Sequence, residues 1–156
     1  MDPRSPEPTV DLDEYLQQVR LRRSELGESM SALEALLADT DTEPVHWSEA
    51  FRSALRKVHE DLEIHVAVTE RPGGLYDSLR DEAARLAGTL RRLQGEHPGL
   101  LATTDELLAQ VADGATVDPA AVREPVKDLL RRLGHHRQRG ADLIFEAYEV
   151  DVGGVG

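Results

Sequence analysis

Apolar residues return at steps of three and four along four separate stretches of this chain, the spacing that gives a helix one face to bury. From Asp11 to Ala38 the stripe is Leu12, Tyr15, Val19, Leu26, Met30, Leu33 and Leu37. From Val45 to Glu70 it is Trp47, Phe51, Ala54, Val58, Leu62, His65 and Thr69. The third, Leu86 to Val111, carries Leu86, Leu90, Leu93, His97, Leu100, Leu101, Leu108 and Val111. The fourth, Ala120 to Glu149, carries Val122, Val126, Leu129, Leu133, His136, Gly140, Ile144 and Ala147. Charged residues fill the opposite faces.

Turn and capping residues separate these stretches. Asp39-Thr40-Asp41-Thr42-Glu43-Pro44 reads as a hairpin loop that ends with proline at the first position of the next helix. Arg71-Pro72-Gly73-Gly74 stops the second helix, and a short helical piece from Leu75 to about Ala84 is expected behind it. Gly88-Thr89 then marks the start of the third long helix. Pro98 falls inside that helix and, lacking a backbone donor, is expected to bend it or to begin a second segment. Asp113-Gly114 closes it, and Asp118-Pro119 opens the last helix.

With 156 residues there is room for one core, and the scarcity of aromatic side chains leaves Leu, Val and Ala to build it, which favours helices over sheets. The expected fold is all-α: an antiparallel up-down-up-down four-helix bundle with a short extra helix between the second and third bundle helices. Residues 11–151 would form the bundle, residues 1–10 a disordered N-terminal segment and residues 152–156 a flexible tail.

A formal charge of −12 opposes docking on nucleic acid or on an anionic membrane, both of which ask for a surplus of Lys and Arg. The absence of cysteine excludes disulfides, thiolate ligands and thiol nucleophiles, so any metal must be held by His, Asp or Glu. Residues 1–10 are polar with three prolines and do not read as a secretory signal, and no apolar run has bilayer length, so the cytoplasm is the expected location. No nucleophile and base fall into a recognisable pairing, and no enzymatic activity is expected.

The histidines carry the functional signal. At roughly 100° per residue, His65, His97 and His136 each fall within the apolar stripe of their helix, whereas His46, His59 and His135 fall to the side or outside. His97 and His136 each lie about sixteen residues from the loop between Asp113 and Ala120, one before it and one after. Arg22 and His65 lie a similar distance, or about one turn more, from the Thr40 loop. If the third helix begins near Gly88, the three histidines share a layer, and a buried imidazole needs a partner to offset its lost hydration. His59 and Glu63, one turn apart, point sideways and read as a solvated face. His135 and His136, being adjacent, diverge by about 100° and cannot face one ion together.

His65-Val66-Ala67-Val68-Thr69-Glu70 with Gly73-Gly74-Leu75-Tyr76 behind it forms one distinctive stretch. Glu96-His97-Pro98-Gly99-Leu100-Leu101 forms a second, and His136-Arg137-Gln138-Arg139-Gly140 leading into Ile144-Phe145-Glu146-Ala147-Tyr148 a third. In their order and separation, over roughly residues 12 to 152, these stretches resemble the hemerythrin-like (HHE cation-binding) family. The resemblance implies a four-helix bundle that holds one or two iron ions between its helices, for oxygen binding, storage or sensing. It further implies His65, His97 and His136 as metal ligands, with Glu70 as the carboxylate. Two departures stand out: the first helix has no histidine and sets Arg22 at the inward position, and Gly140 replaces the carboxylate expected one turn after the last histidine. A cation near the site and a missing anion both disfavour a full di-iron centre.

Two readings follow. In one, a single non-haem iron, or zinc as second choice, sits on the three imidazoles and Glu70, with dioxygen or another small molecule as its ligand. In the other, the bundle binds no metal and acts as a scaffold or protein-interaction module of unspecified partner, with Arg22 paired to Glu70 or Glu25. Metal-dependent oxidation would require the first. The clusters Arg20-Leu21-Arg22-Arg23 and Arg137-Gln138-Arg139 read as solvated, salt-bridged faces among many acids.

Overall fold

A computed structural model describes residues 12–112 and 114–150. The segments expected to be disordered or flexible, 1–10 and 152–156, lie outside the described residues, as do the side chains of Leu12 and Tyr15. Four long helices dominate: α1 (Leu12–Ala38), α2 (Pro44–Glu70), α4 (Ala87–Gln110) and α5 (Pro119–Ile144). The short α3 (Leu75–Glu82) and a 3₁₀ turn (Ala84–Leu86) stand between α2 and α4, and a π-helical stretch (Phe145–Val150) continues α5. No strand occurs among the described residues. α1 packs on α2, α2 on α4, α4 on α5 and α5 on α1, which closes a ring of helix pairs. No described helix is long and apolar enough to cross a membrane.

The helix ends follow their sequence signals. The Glu43 carboxylate accepts from the backbone N–H groups of Val45 and His46, at 3.1 and 3.3 Å, with Pro44 opening α2. Asp118 accepts from the Ala120 N–H at 3.0 Å, with Pro119 opening α5. Gly73 adopts φ +71° in the turn after α2, where a side chain would be strained. The Ser48 hydroxyl accepts from the Val117 N–H at 2.8 Å, and Arg52 donates to the carbonyls of Val111 and Ala115, which ties the loop before α5 to α2.

Pro98 does not divide α4, which runs unbroken from Ala87 to Gln110. The residue is exposed, as is Gln94, whose carbonyl it leaves without a helical donor, so water can take that bond. The start of α4 at Ala87 matters more. A separate α3 and a turn before α4 set His97 near the middle of its helix, as the Gly88-Thr89 signal requires.

Candidate metal centre

α2, α4 and α5 each deliver one imidazole to the same point. His65, His97 and His136 are all buried, and they offer ligand nitrogens that lie within 4.8 Å of one another. The nitrogens that converge are the Nε2 atoms: His65 to His136 at 3.3 Å and His97 to His136 at 3.1 Å. The rings meet edge to face, with centroids 4.8 to 5.4 Å apart.

Carboxylates stand behind two of the rings. Glu96 Oε1 lies 3.2 Å from His136 Nδ1, and its other oxygen pairs with Arg139. Glu70 Oε1 lies 3.2 Å from His97 Nδ1. That contact does not reach hydrogen-bond geometry, and the buried His97 Nδ1 has no other partner among the described residues. A carboxylate only accepts, so the Glu96 hydrogen bond places the His136 ring proton on Nδ1 and a lone pair on Nε2. That lone pair faces His97 Nε2 at 3.1 Å and His65 Nε2 at 3.3 Å, where either a ring N–H or a shared cation can meet it.

Protonation does not supply that cation near neutral pH. Burial, together with the neighbouring His136 and His97, drives His65 down to about 3. Burial and His136 drive His97 down to about 4, and burial outweighs Glu96 in lowering His136. Three neutral imidazoles are what a transition metal takes as ligands. The separations agree as well: two nitrogens each ~2.0–2.1 Å from one tetrahedral ion stand ~3.3–3.4 Å apart, and somewhat closer around an octahedral one.

Around the triad, Tyr76 of α3 stacks on His97 with ring planes 15° apart and hydrogen-bonds Thr69, and burial pushes its hydroxyl up to about 12. Thr69 Oγ1 in turn donates to the His65 carbonyl at 2.9 Å. A narrow cavity of about 20 Å³, room for one small molecule, opens beside His65 and His136 against Leu75, Leu143 and Ile144. Gly140 is part of its wall, and a Cβ added there would meet nothing within 4 Å.

Of the residues singled out in the sequence, the three histidines come together, and Glu70 takes a different place from the one the resemblance implies. It backs His97 from the far side instead of joining the converging nitrogens. Arg22 does not point at the site: its side chain is 40% exposed and pairs with Glu25 at 3.0 Å. Arg23 lines the cavity in its place. Both arginines fall three or four residues from Val19 and Leu26, so spacing alone cannot say which turns inward. His59 is no solvated residue either, since it bridges Glu63 at 2.9 Å and Asp105 of α4 at 2.7 Å with only 17% of its side chain exposed.

Glu96 and Tyr76 are site residues to which the sequence assigns no role, and Arg137, expected on a solvated, salt-bridged face, is half-buried and donates to the Arg23 carbonyl at 3.1 Å. The pairing of Glu96 with His136 crosses from α4 to α5, a relation no spacing along one helix can disclose. Comparison with family models, with curated proteins and with solved structures finds no match.

Proposed function

We propose that this chain is a hemerythrin-like, up-down-up-down helical bundle of the cytoplasm that holds one transition-metal ion on His65, His97 and His136, iron being the ion the resemblance implies. The observation that carries the reading is the convergence of three buried imidazoles, with His97 and His65 Nε2 standing 3.1 and 3.3 Å from His136 Nε2 and Glu96 hydrogen-bonded behind His136. Carboxylate-backed imidazole is how proteins orient and strengthen histidine ligands. Three protein ligands leave a coordination position free, and the narrow apolar cavity beside His65 and His136 suits dioxygen or another small uncharged molecule as the exogenous ligand. Glu70 and Glu96 hold the ligand rings, and Tyr76 covers His97 and limits access of water.

A metal-free scaffold is the second reading, favoured by Arg23 and Arg137, whose charges lie close enough to lower His65 further. One experiment separates the two. Purified apoprotein is titrated with Fe(II) under anaerobic conditions, and with Zn(II), and the bound metal is quantified. One equivalent bound, lost on replacing His97 by Leu, is the expected result. No stoichiometric uptake, with H97L at least as stable as the parent, establishes the scaffold.

A further inference from the structure

The seam between α1 and α5 is the loosest of the four helix pairs, and a groove of about 610 Å³ opens along it. Met30, Leu37 and Leu130 give it an apolar floor. One wall is cationic: Arg123, Lys127 and Arg131 follow at four-residue steps along α5, and Arg137 closes the far end. Facing these four cations, Glu34 is the only acid in the lining. Arg131 is paired with Asp128, but Arg123, Lys127 and Arg137 have no carboxylate partner among the described residues.

This distribution runs against the composition. The chain carries 30 acidic and 18 basic residues, so a cation placed at random on the surface finds an acid easily. Basic side chains that only shielded a loose seam would be expected to take such neighbours. Here Arg123 and Lys127 are left without a carboxylate beside an apolar floor, and Arg137 donates to the Arg23 carbonyl at 3.1 Å, a local positive field on an anionic molecule whose complement is a ligand both apolar and acidic.

The dimensions indicate what kind. The lining runs from Gly27 to Ala38 on α1 and from Arg123 to Arg137 on α5, which at 1.5 Å per residue gives a trough ~17–21 Å long. That is three to four helical turns. We propose that the α1–α5 groove docks an acidic amphipathic helix of a partner protein, with leucine-like residues on Met30, Leu37 and Leu130 and its Glu or Asp residues on Arg123, Lys127 and Arg137. Helix-in-groove recognition of this kind uses apolar anchors at three- and four-residue steps flanked by charge. The inference is independent of the metal reading, although Arg137 lines both the groove and the cavity beside His65.

The test uses the full chain and a fluorescein-labelled helical peptide of about fourteen residues, with leucines at three- and four-residue steps and glutamates on both flanks. Anisotropy should report saturable binding that weakens as salt rises from ~50 to ~200 mM. The double reversal Arg123→Glu, Lys127→Glu should weaken it at least ~10-fold, as should replacing the peptide's glutamates with glutamine. Unchanged circular dichroism would show the reversed variant folded, both residues lying on the solvent side of α5. The proposal is overturned if the peptide does not bind, if a scrambled peptide of the same charge binds equally, or if the reversal leaves affinity unchanged. A dimer in sedimentation that the same reversal disperses also overturns it, since the groove then receives a second copy of this chain.

Discussion

Two apolar clusters fill this bundle, and they are built differently. The first draws on all four long helices, from Leu26, Leu33 and Leu37 across Trp47, Phe51 and Leu62 to Leu107, Leu129 and Leu133. The second gathers Leu16 and Val19, Leu75 and Leu79 of α3, Leu90 and Leu93, and Leu143, Ile144 and Ala147. No residue of α2 belongs to its buried set, and α3 supplies the missing side. The histidines lie on the boundary: His65 follows Leu62, His97 stands between Leu93 and Leu100, and His136 follows Leu133. The contrast teaches that the first cluster suffices to define the bundle, while the second, with its short helix and Tyr76, closes one side of a polar layer. Apolar residues of similar volume would pack there without the desolvation penalty that three imidazoles carry.

The largest way to break the comparison is to empty the first cluster. Phe51 is fully buried and stacks on Trp47 with ring centroids 5.1 Å apart, so Phe51→Ala should cost about 3–5 kcal/mol. Urea denaturation measures it. If the two clusters divide the labour as described, metal stoichiometry per folded molecule stays unchanged, because Phe51 lies far along α2 from His65. Loss of both together would show that the layer depends on the whole core.

Acid attacks the layer itself. In the metal-free protein His65 titrates near 3, against 6.5 for an ordinary imidazole, so between those values the unfolded chain binds the proton and the folded one does not. The stability this burial permits is complete above pH 6.5, falls as pH drops through the window and is exhausted near pH 3. His97, titrating near 4, adds to the same slope. Denaturation midpoints for the parent and for His65→Leu over that range should diverge as pH falls, with the variant the less acid-sensitive. Parallel curves would mean that His65 is solvated.

A finer cut tests the carboxylates behind the rings. Glu96→Gln keeps an acceptor near His136 Nδ1 but removes the charge that strengthens the ring as a ligand. Metal affinity should fall about 10–100-fold with little change in fold. Competition against a chelator of known affinity reads this directly, and an unchanged affinity would make Glu96 a partner of Arg139 alone.

Much of this was legible in the sequence, and the part that was not has a physical reason. Periodicity is a property of single helices, so it found the inward faces of α2, α4 and α5 and put His65, His97 and His136 on them. The Gly88-Thr89 signal placed the start of α4 to within a residue, and with it the shared depth of the histidines. What spacing could not reach were relations between helices: Glu96 reaching His136, Glu70 backing His97, His59 clasped by Asp105, and Asp61 buried against Ser29 of α1. Nor could it count the small volumes, such as the open space beside Gly140, that depend on several backbones at once.

The smallest expected effect settles the ambiguity on α1. Arg22 and Arg23 are adjacent, both within reach of the inward face by spacing, and only their surroundings distinguish them. Arg22 is half-exposed and pairs with Glu25 one turn away, a surface contact of the kind that contributes little, so Arg22→Ala should change stability by no more than about 0.5 kcal/mol and leave the histidines undisturbed. Arg23 borders the cavity, and its charge helps depress His65. Arg23→Ala should therefore raise the titration point of His65 in the metal-free protein while Arg22→Ala does not. Imidazole proton resonances followed against pH in the two variants give the answer, and equal shifts would mean that the layer senses the net charge of α1 and not the one guanidinium beside it.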